Sequence, residues 1–383
     1  MSSNKKVLIT FLGNINYDTR CKNLYDTLSA NNYDVEFLGF DWLTDGFAET
    51  RGNISIIKLN KGFFSIPFYL KFIWHIKVKL ITTKASIIFA EDIYTLPFAV
   101  IFGKLKRAKI YYDSRELFGY LAGLKDKKIK QAFWKWIEKI FIKRTDYVMV
   151  TGPMDGEFLK KEYGINNLIL LRNLPRYYKP ELKLDLHFHL QIEKSQLKAD
   201  EPKAQKKIIL YQGVLLKGRG IEKIFSVLNE LPDCVFVIAG GGEYEDHYRK
   251  LAEEMKVSDR VFFLGKITQE DLPKITSAVD VGVSLIENVS ISYYYALPNK
   301  LFEYIMADVP VIVSNLPQMK DIVDKYDVGY AVEFDNKDEL ISAIKKLTEN
   351  ESLRESKKQN CHIASQELNW EKEVTNLLKE LSF

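Results

Sequence analysis

Short apolar runs recur along the chain, and between them the apolar positions fall on every third or fourth residue. In the first half the runs are KVLITFL, DVEFLGF, ISIIKL, SIIFA, AKIYYD, YVMVTG and LILLRN, with a helical pattern from Thr19 to Asn31 after the first. Strands alternating with helices in this way build a parallel sheet covered on both faces, because a parallel connection is long enough to hold a helix. Residues 175–207, rich in Lys, Glu, Gln and Pro, break the pattern and read as a linker with a marginal helix. From Lys207 the alternation restarts with KIILYQG, a helix from Ile221, CVFVIAGGG, a helix from Tyr244, VFFLG, a short helix from Gln269, VDVGVSL, a helix after Pro298, PVIVS and GYAVEF. The tail is helical, and Trp370, Val374, Leu377 and Leu381 are spaced for packing on one face. The pattern therefore predicts an α/β fold with domains at 1–175 and 207–365, a linker at 176–206, and a tail at 366–383 that crosses back to the first domain. Ligands of open α/β sheets bind at the carboxyl ends of the strands, so two such domains are expected to face each other across a ligand cleft.

Within this frame the segment LPNKLFEYIMADVPVIVS, residues 297–314, places a lysine in the first turn of a helix. The free N–H groups and dipole there disfavour a cation by a few tenths to about 1 kcal/mol unless an anion is bound. Lys300 thus points to a phosphate, and Glu303, on the same face, is placed to accept two hydrogen bonds from a ribose diol. The competing reading is an i,i+3 Lys–Glu surface pair. Leu301, Phe302, Ile305 and Met306 form the apolar stripe.

Other strand ends carry glycine and charge. GVLLKGRG, from Gly213 to Gly220, sits between strand and helix with Lys217 and Arg219. It is a phosphate cradle in outline, or a glycine turn with solvated cations. It is neither a Walker A loop nor GxGxxG, and Gly240, Gly241 and Gly242 lack the third glycine of a dinucleotide fingerprint, since Glu245 stands there. These three glycines suit a tight turn beside a ligand, and the backbone around Lys266 and Ile267 either meets a base edge or is purely structural. GNINYDTR, from Gly13 to Arg20, holds Asp18 as a candidate N-cap. Glu91 and Asp92 in AEDIYTL, and the YDSRE stretch from Tyr112 to Glu116, are expected to face the cleft.

Composition narrows the function. The chain has 383 residues, 46% apolar, with net charge +4, enough for a large core and too mild a charge for a dedicated nucleic-acid binder. Cys21, Cys234 and Cys361 form no disulfide framework, which fits a reducing cytosol. The five histidines show no HxxxH or HExxH spacing, His187 and His189 merely alternate in the linker, and no metal is expected. The apolar run near the start is too short for a signal peptide and reads as a first strand, and no run is long enough to span a membrane. Two segments nevertheless mix aromatics with cations: 61–80, without an acidic residue, and 125–144, with eight basic residues against two acidic. They suit the surface of an anionic bilayer, or else a core face backed by solvated lysines.

These motifs together resemble the retaining, metal-independent glycosyltransferases of family 4, of GT-B fold. The resemblance rests on GNINYDTR, AED, YYDSRELF, RNLP, YQGVLLKGRGIE, VIAGGGE, VFFLGKI and, most specifically, LPNKLFEYIMADVPVIVS, a PNKLFEY form seen in bacterial surface-polysaccharide enzymes. It implies transfer of a hexose-type sugar from a nucleotide diphosphate, UDP favoured, to a lipid-linked or polysaccharide acceptor, with no further cofactor. Glu303 matches the second glutamate of the family's E-x7-E pattern and would hold the ribose. Arg219 and Lys300 would take the diphosphate, and Gly13 would lie near the donor phosphate and acceptor. Gly213, Gly241, Lys266, Ile267 and Leu301 would complete the donor site. Asp18 and Arg20 match the family's usual residues after the first turn. This chain departs from the pattern at three places. Val214 stands at the loop's other basic position, Tyr295 at the first glutamate, and Arg115 at the histidine of D-x-H-E. Arg115 cannot act as a base near neutral pH but suits an anionic acceptor, so Arg115 and Tyr295 join Arg219 and Lys300 as the candidate catalytic set. A sugar-nucleotide epimerase or hydrolase, or a non-catalytic nucleotide-sugar-binding subunit, are the competing functions.

Overall fold

The computed structural model describes residues 5–42, 46, 48–60, 65–180, 185, 186, 190 and 205–382; His187, His189 and most of the expected linker lie outside them. The chain divides into two units, Met1–Asn173 with Val374–Phe383, and Leu174–Glu373. Both are α/β.

The first unit is built on an eight-stranded sheet in the order β3-β4-β2-β1-β5-β6-β7-β8. Its strands are β1 (Lys6–Thr10), β2 (Asp34–Asp41), β3 (Glu49–Arg51), β4 (Ile54–Lys58), β5 (Ile87–Ala90), β6 (Lys109–Ser114), β7 (Tyr147–Val150) and β8 (Leu168–Leu170). Every pair is parallel except β3 with β4. That edge strand, ETR, had no apolar run to announce it. The chain moves outward from β1 to β2 and β4, then returns to β5 on the other side of β1, so the topological switch lies between β1 and β5. Asp18 caps the Thr19–Ala30 helix by accepting the Cys21 N–H at 2.7 Å.

The second unit holds a six-stranded, all-parallel sheet in the order β11-β10-β9-β12-β13-β14. Here β9 is Lys207–Gln212, β10 Cys234–Ala239, β11 Val261–Gly265, β12 Val281–Ser284, β13 Val311–Ser314 and β14 Gly329–Val332. Alternate residues of one strand enter different cores, which is why each run is continuously apolar. Ile209 and Tyr211 join one cluster, Ile208 and Leu210 the other. The helix expected from Gln269 begins at Leu272, because Thr268 and Asp271 close a side-chain turn before it and Pro273 sits in its first turn. Of the tail stripe, Trp370 belongs to the second unit, while Val374, Leu377 and Leu381 belong to the first, and all are buried. No helix among the described residues is long and apolar enough to cross a membrane.

The switch point of this sheet, between β9 and β12, is bridged by a side chain. Only Ile209 and Leu210 of β9 pair with β12, through Val281 and Gly282. Beyond them the Tyr304 hydroxyl, from the Asn299–Met306 helix, accepts the Gln212 N–H at 3.1 Å and donates to the Leu210 carbonyl at 2.9 Å. Gly282 makes room for the ring, since a Cβ there would lie 2.4 Å from it. Removing this hydroxyl leaves buried backbone groups unpaired, and each such loss costs about 1–3 kcal/mol. Tyr304→Phe is therefore expected to lower the urea-unfolding free energy by that amount; an unchanged midpoint and slope would contradict the bridging role.

Candidate functional site

The loops that leave the carboxyl ends of β9, β10 and β11 are laced into one surface. Gly213 N–H donates to Ala239, Leu215 N–H to Gly241, and Gly240 N–H to Gly265, at 2.8 to 3.1 Å. The approach is so close that a side chain at Gly240 would meet the Gly213 carbonyl at 1.9 Å. Gly220, at φ +73°, is pressed against Leu285 beyond β12, and the Ile221–Leu228 helix starts immediately after it. Glycine is required at both positions.

Two cations stand over this surface. The Arg219 guanidinium lies 4.9 Å from the centre of the Tyr293 ring, and the Lys300 amine lies 3.6 Å from the centre of Tyr211. The same amine is 3.5 Å from where a side chain on Gly213 would begin. Among the described residues neither cation makes an ion pair of 4.0 Å or less. Burial, and then the neighbouring Arg219, push the Lys300 ammonium well below the usual lysine range, against the pull of Glu303. Two like charges crowding one glycine loop without a counter-ion make a site that favours an anion.

The expected alternative, an i,i+3 pair between Lys300 and Glu303, does not form. Glu303 turns instead to the buried Gln212, whose Nε2 donates to Glu303 Oε2. Burial raises the Glu303 carboxyl above its ordinary value, while Gln212 and Lys300 pull it back. Gln212 Oε1 in turn accepts the Thr276 hydroxyl at 2.9 Å.

In the first unit, Arg115 does not stand open to an anion. Its NH1 donates to Asp18 at 2.6 Å, its NH2 to Glu91 at 2.7 Å and to the Cys21 sulfur at 3.0 Å, and its Nε to Asp113 at 3.2 Å. The guanidinium plane lies 4.5 Å above the Phe11 ring. Arg20, 2% exposed, grips Asp113 from the other side with Nε and NH2 and donates NH1 to the Leu171 carbonyl. Two arginines and three carboxylates thus tie the ends of β1, β5 and β6 together. Burial works to raise Asp18, but Arg115 and the Cys21 N–H hold it below the usual range. Burial, then Asp113, push Glu91 up to about 7, against Arg115 and Arg20. Asp92 accepts the N–H groups of Leu12 and Thr95. Gly13 has a local reason to be glycine, since a Cβ there would lie 2.3 Å from the Phe11 ring that supports Arg115. Among the described residues no three His, Cys, Asp or Glu side chains converge as a metal site.

Residues 193–379 match the family model "Glycosyl transferases group 1". The chain is a glycosyltransferase. An uncharacterized glycosyltransferase of Haemophilus influenzae is 20% identical over 337 residues, 86% of each chain. The UDP-Gal:alpha-D-GlcNAc-diphosphoundecaprenol alpha-1,3-galactosyltransferase of Escherichia coli is 30% identical over 134 residues, 35% of this chain and 32% of that protein. Among solved structures, sucrose-phosphate synthase from Thermosynechococcus elongatus superposes with a TM-score of 0.79 at 18% identity, covering 99% of this chain and 98% of that one. HepE of Anabaena, in complex with UDP-glucose, gives 0.73 at 14% identity, covering 98% and 99%. The fold is that of the GT-B enzymes.

In this glycosyltransferase, Gly213, Arg219, Gly241, Lys300 and Glu303 lie on or beside the laced loops. Lys266 is exposed, with its chain against Gly241, and Ile267 packs on the core beneath. The Leu301 side chain is fully buried, and its N–H donates to the Pro298 carbonyl at 3.1 Å. Every guanidinium nitrogen of Arg115 has a hydrogen-bond partner. Tyr295 closes the short Ile291–Tyr294 helix and its carbonyl accepts from Gln318. Sequence reasoning passed over Gln212, Thr276, Tyr293 and Tyr304. The one visible signal was Gln212, a polar residue ending a strand otherwise buried on both faces.

The raised Glu91 has a measurable consequence. The folded chain keeps a proton there that the unfolded chain sheds near pH 4.3, so the group's contribution is full at low pH and is lost as pH rises through about 7. Glutamine cannot ionise. Glu91→Gln should therefore gain stability relative to the parent between about pH 5 and 7, by at most about 1.4 kcal/mol per pH unit. Urea unfolding at several pH values checks this, and parallel pH curves for the two proteins would refute it.

Proposed function

We propose that this glycosyltransferase moves a hexose-type sugar from a UDP-sugar to a lipid-linked or polysaccharide acceptor, with retention, as a family 4 enzyme of cell-surface glycan assembly. The observation that carries the reading is the pair of cations without ion-pair partners among the described residues, Arg219 and Lys300, over a glycine loop, with the Glu303 carboxylate close by. A diphosphate leaving group gathers negative charge as its bond to the sugar breaks, and fixed cations that need no reorganisation stabilise that charge. Bound phosphate would also offset the burial and the Arg219 repulsion that disfavour the Lys300 ammonium. Glu303 takes the ribose hydroxyls, and Tyr295 stands in place of the carboxylate near the donor sugar. Arg115 organises the strand ends of the first unit. The UDP-glucose complex of HepE and the UDP-Gal donor in the name of the Escherichia coli relative favour uridine. The relative's diphosphoundecaprenol acceptor favours a lipid carrier.

A lipid-linked acceptor fits one face of the first unit. The Ser65–Thr82, Leu96–Leu105 and Lys128–Ile142 helices pack side by side. The first turns Phe72, Ile76 and Leu80 inward, yet exposes Ile66, Leu70, Trp74, Val78 and Ile81 as a second apolar stripe, with Trp74 66% exposed. The third exposes Ile129, Phe133 and Trp136 among Lys128, Lys130 and Lys139. Residues 61–64 of the expected membrane segment lie outside the described residues. The only carboxylate on the three helices, Glu138, is buried against the hydroxyls of Tyr112 and Tyr163. Apolar, aromatic and cationic groups without an exposed acid suit the anionic inner surface of a cell membrane.

Arg219→Ala and Lys300→Ala are each expected to lose at least about tenfold in sugar transfer. Wild-type kinetics in both would sink the diphosphate assignment, and free sugar released at the full rate without acceptor would make the protein a hydrolase. The chain should float with phosphatidylglycerol vesicles at low salt and be released by high salt. Flotation unaffected by Trp74→Glu with Trp136→Glu, or absent altogether, would remove the membrane face.

A further inference from the structure

Lys300 and Glu303 are one helical turn apart, oppositely charged and both partly buried, the arrangement in which such a pair ordinarily closes. It stays open here. The Lys300 amine rests over the Tyr211 ring, and the Glu303 carboxylate is drawn to Gln212. We infer that Gln212, oriented by Thr276, is a positioning residue for donor binding: it anchors one oxygen of Glu303, leaves the other for the ribose diol, and keeps the carboxylate from pairing with Lys300.

The inference rests on the reading of Glu303 as the ribose ligand and adds what makes that ligand available. Gln212 and Thr276 are each 1% exposed, so their polar atoms have no recourse to solvent. A carboxylate only accepts, which turns the amide NH2 toward Glu303 and the amide oxygen toward the Thr276 hydroxyl. That hydroxyl is itself held 2.8 Å from the Leu272 carbonyl, so the helix Leu272–Thr276 fixes the amide plane. The Gln212 backbone is pinned as well, by its N–H to Tyr304, the residue after Glu303. No hydrogen bond to Glu303 Oε1 is formed among the described residues. Lys300 meanwhile keeps its charge directed to the loop of Gly213. Without the amide, Glu303 is left with the pull of the Lys300 charge, and closure would withdraw a ribose acceptor and a phosphate donor together.

Calorimetric binding of UDP and of 2′,3′-dideoxy-UDP tests this in wild type, Glu303→Ala, Gln212→Met and Thr276→Val. Methionine matches the length of glutamine without its hydrogen bonds, and Thr276→Val disturbs the amide without touching its contact with Glu303. Wild type should prefer UDP, and Glu303→Ala should lose that preference. Gln212→Met should lose about tenfold of it, with donor KM raised more than kcat changes and the acid limb of UDP binding moved to higher pH. Thr276→Val should move the same way by less. If Glu303→Ala loses the preference while Gln212→Met and Thr276→Val keep both the preference and the pH profile of wild type, the positioning role is overturned and the ribose reading stands. If Glu303→Ala keeps the preference, the ribose reading itself fails and the inference falls with it.

Discussion

A tyrosine hydroxyl holds open the place where the second sheet changes direction. At the switch point β9 and β12 diverge after two paired residues, and the Gln212 N–H and Leu210 carbonyl would be left unpaired in an apolar interior. Tyr304 meets both. Because it projects from the Asn299–Met306 helix, the same contact sets the helix against the end of β9, and therefore sets Lys300 and Glu303 against the Gly213 loop. A buried backbone group must find a partner, so the helix has little freedom to sit elsewhere. Gly282 is the complementary condition, since any side chain there would occupy the ring's place.

The two units treat the cations at their strand ends in opposite ways. In the first, Arg115 and Arg20 are matched against Asp18, Glu91 and Asp113, and their charge is consumed in tying strand ends together. In the second, Arg219 and Lys300 are matched against aromatic rings, which lower the cost of holding a cation without cancelling its charge. The first arrangement is a structural clamp, and the second leaves electrostatic potential for an anion to satisfy. Neutral Gln212, set between the carboxylate and the sheet, belongs to the second arrangement, because a cation in its place would have cancelled Glu303.

Much of this was legible in the residues. Two sets of alternating strands and helices, the Asp18 cap and the glycines at the ends of β1, β9, β10 and β11 follow from local patterns, since burial on both faces of a parallel sheet leaves continuous apolar runs. The candidate donor site was legible as residue types: a cation in a helix's first turn, a carboxylate one turn on, and Arg219 in a glycine loop. Less visible were features whose meaning depends on a partner distant in sequence. Arg115 reads as an available cation until Asp18, Glu91 and Asp113 surround it from three strand ends. Strand β3, three polar or charged residues at an edge, has no periodicity to betray it.

The sequence alone determined the α/β class, every strand but β3 and the chemical types gathered at the strand ends, because hydrophobic period and turn chemistry act over a few residues. Only the tertiary structure decided which charges are satisfied and which are not. Lys300 and Glu303 are three residues apart, and their spacing predicts a pair. Whether they pair depends on Gln212, 91 residues before Glu303, and on Thr276 behind it. A charge in a folded protein is defined by its nearest partners and its access to water, and both are set by contacts that close long loops of chain.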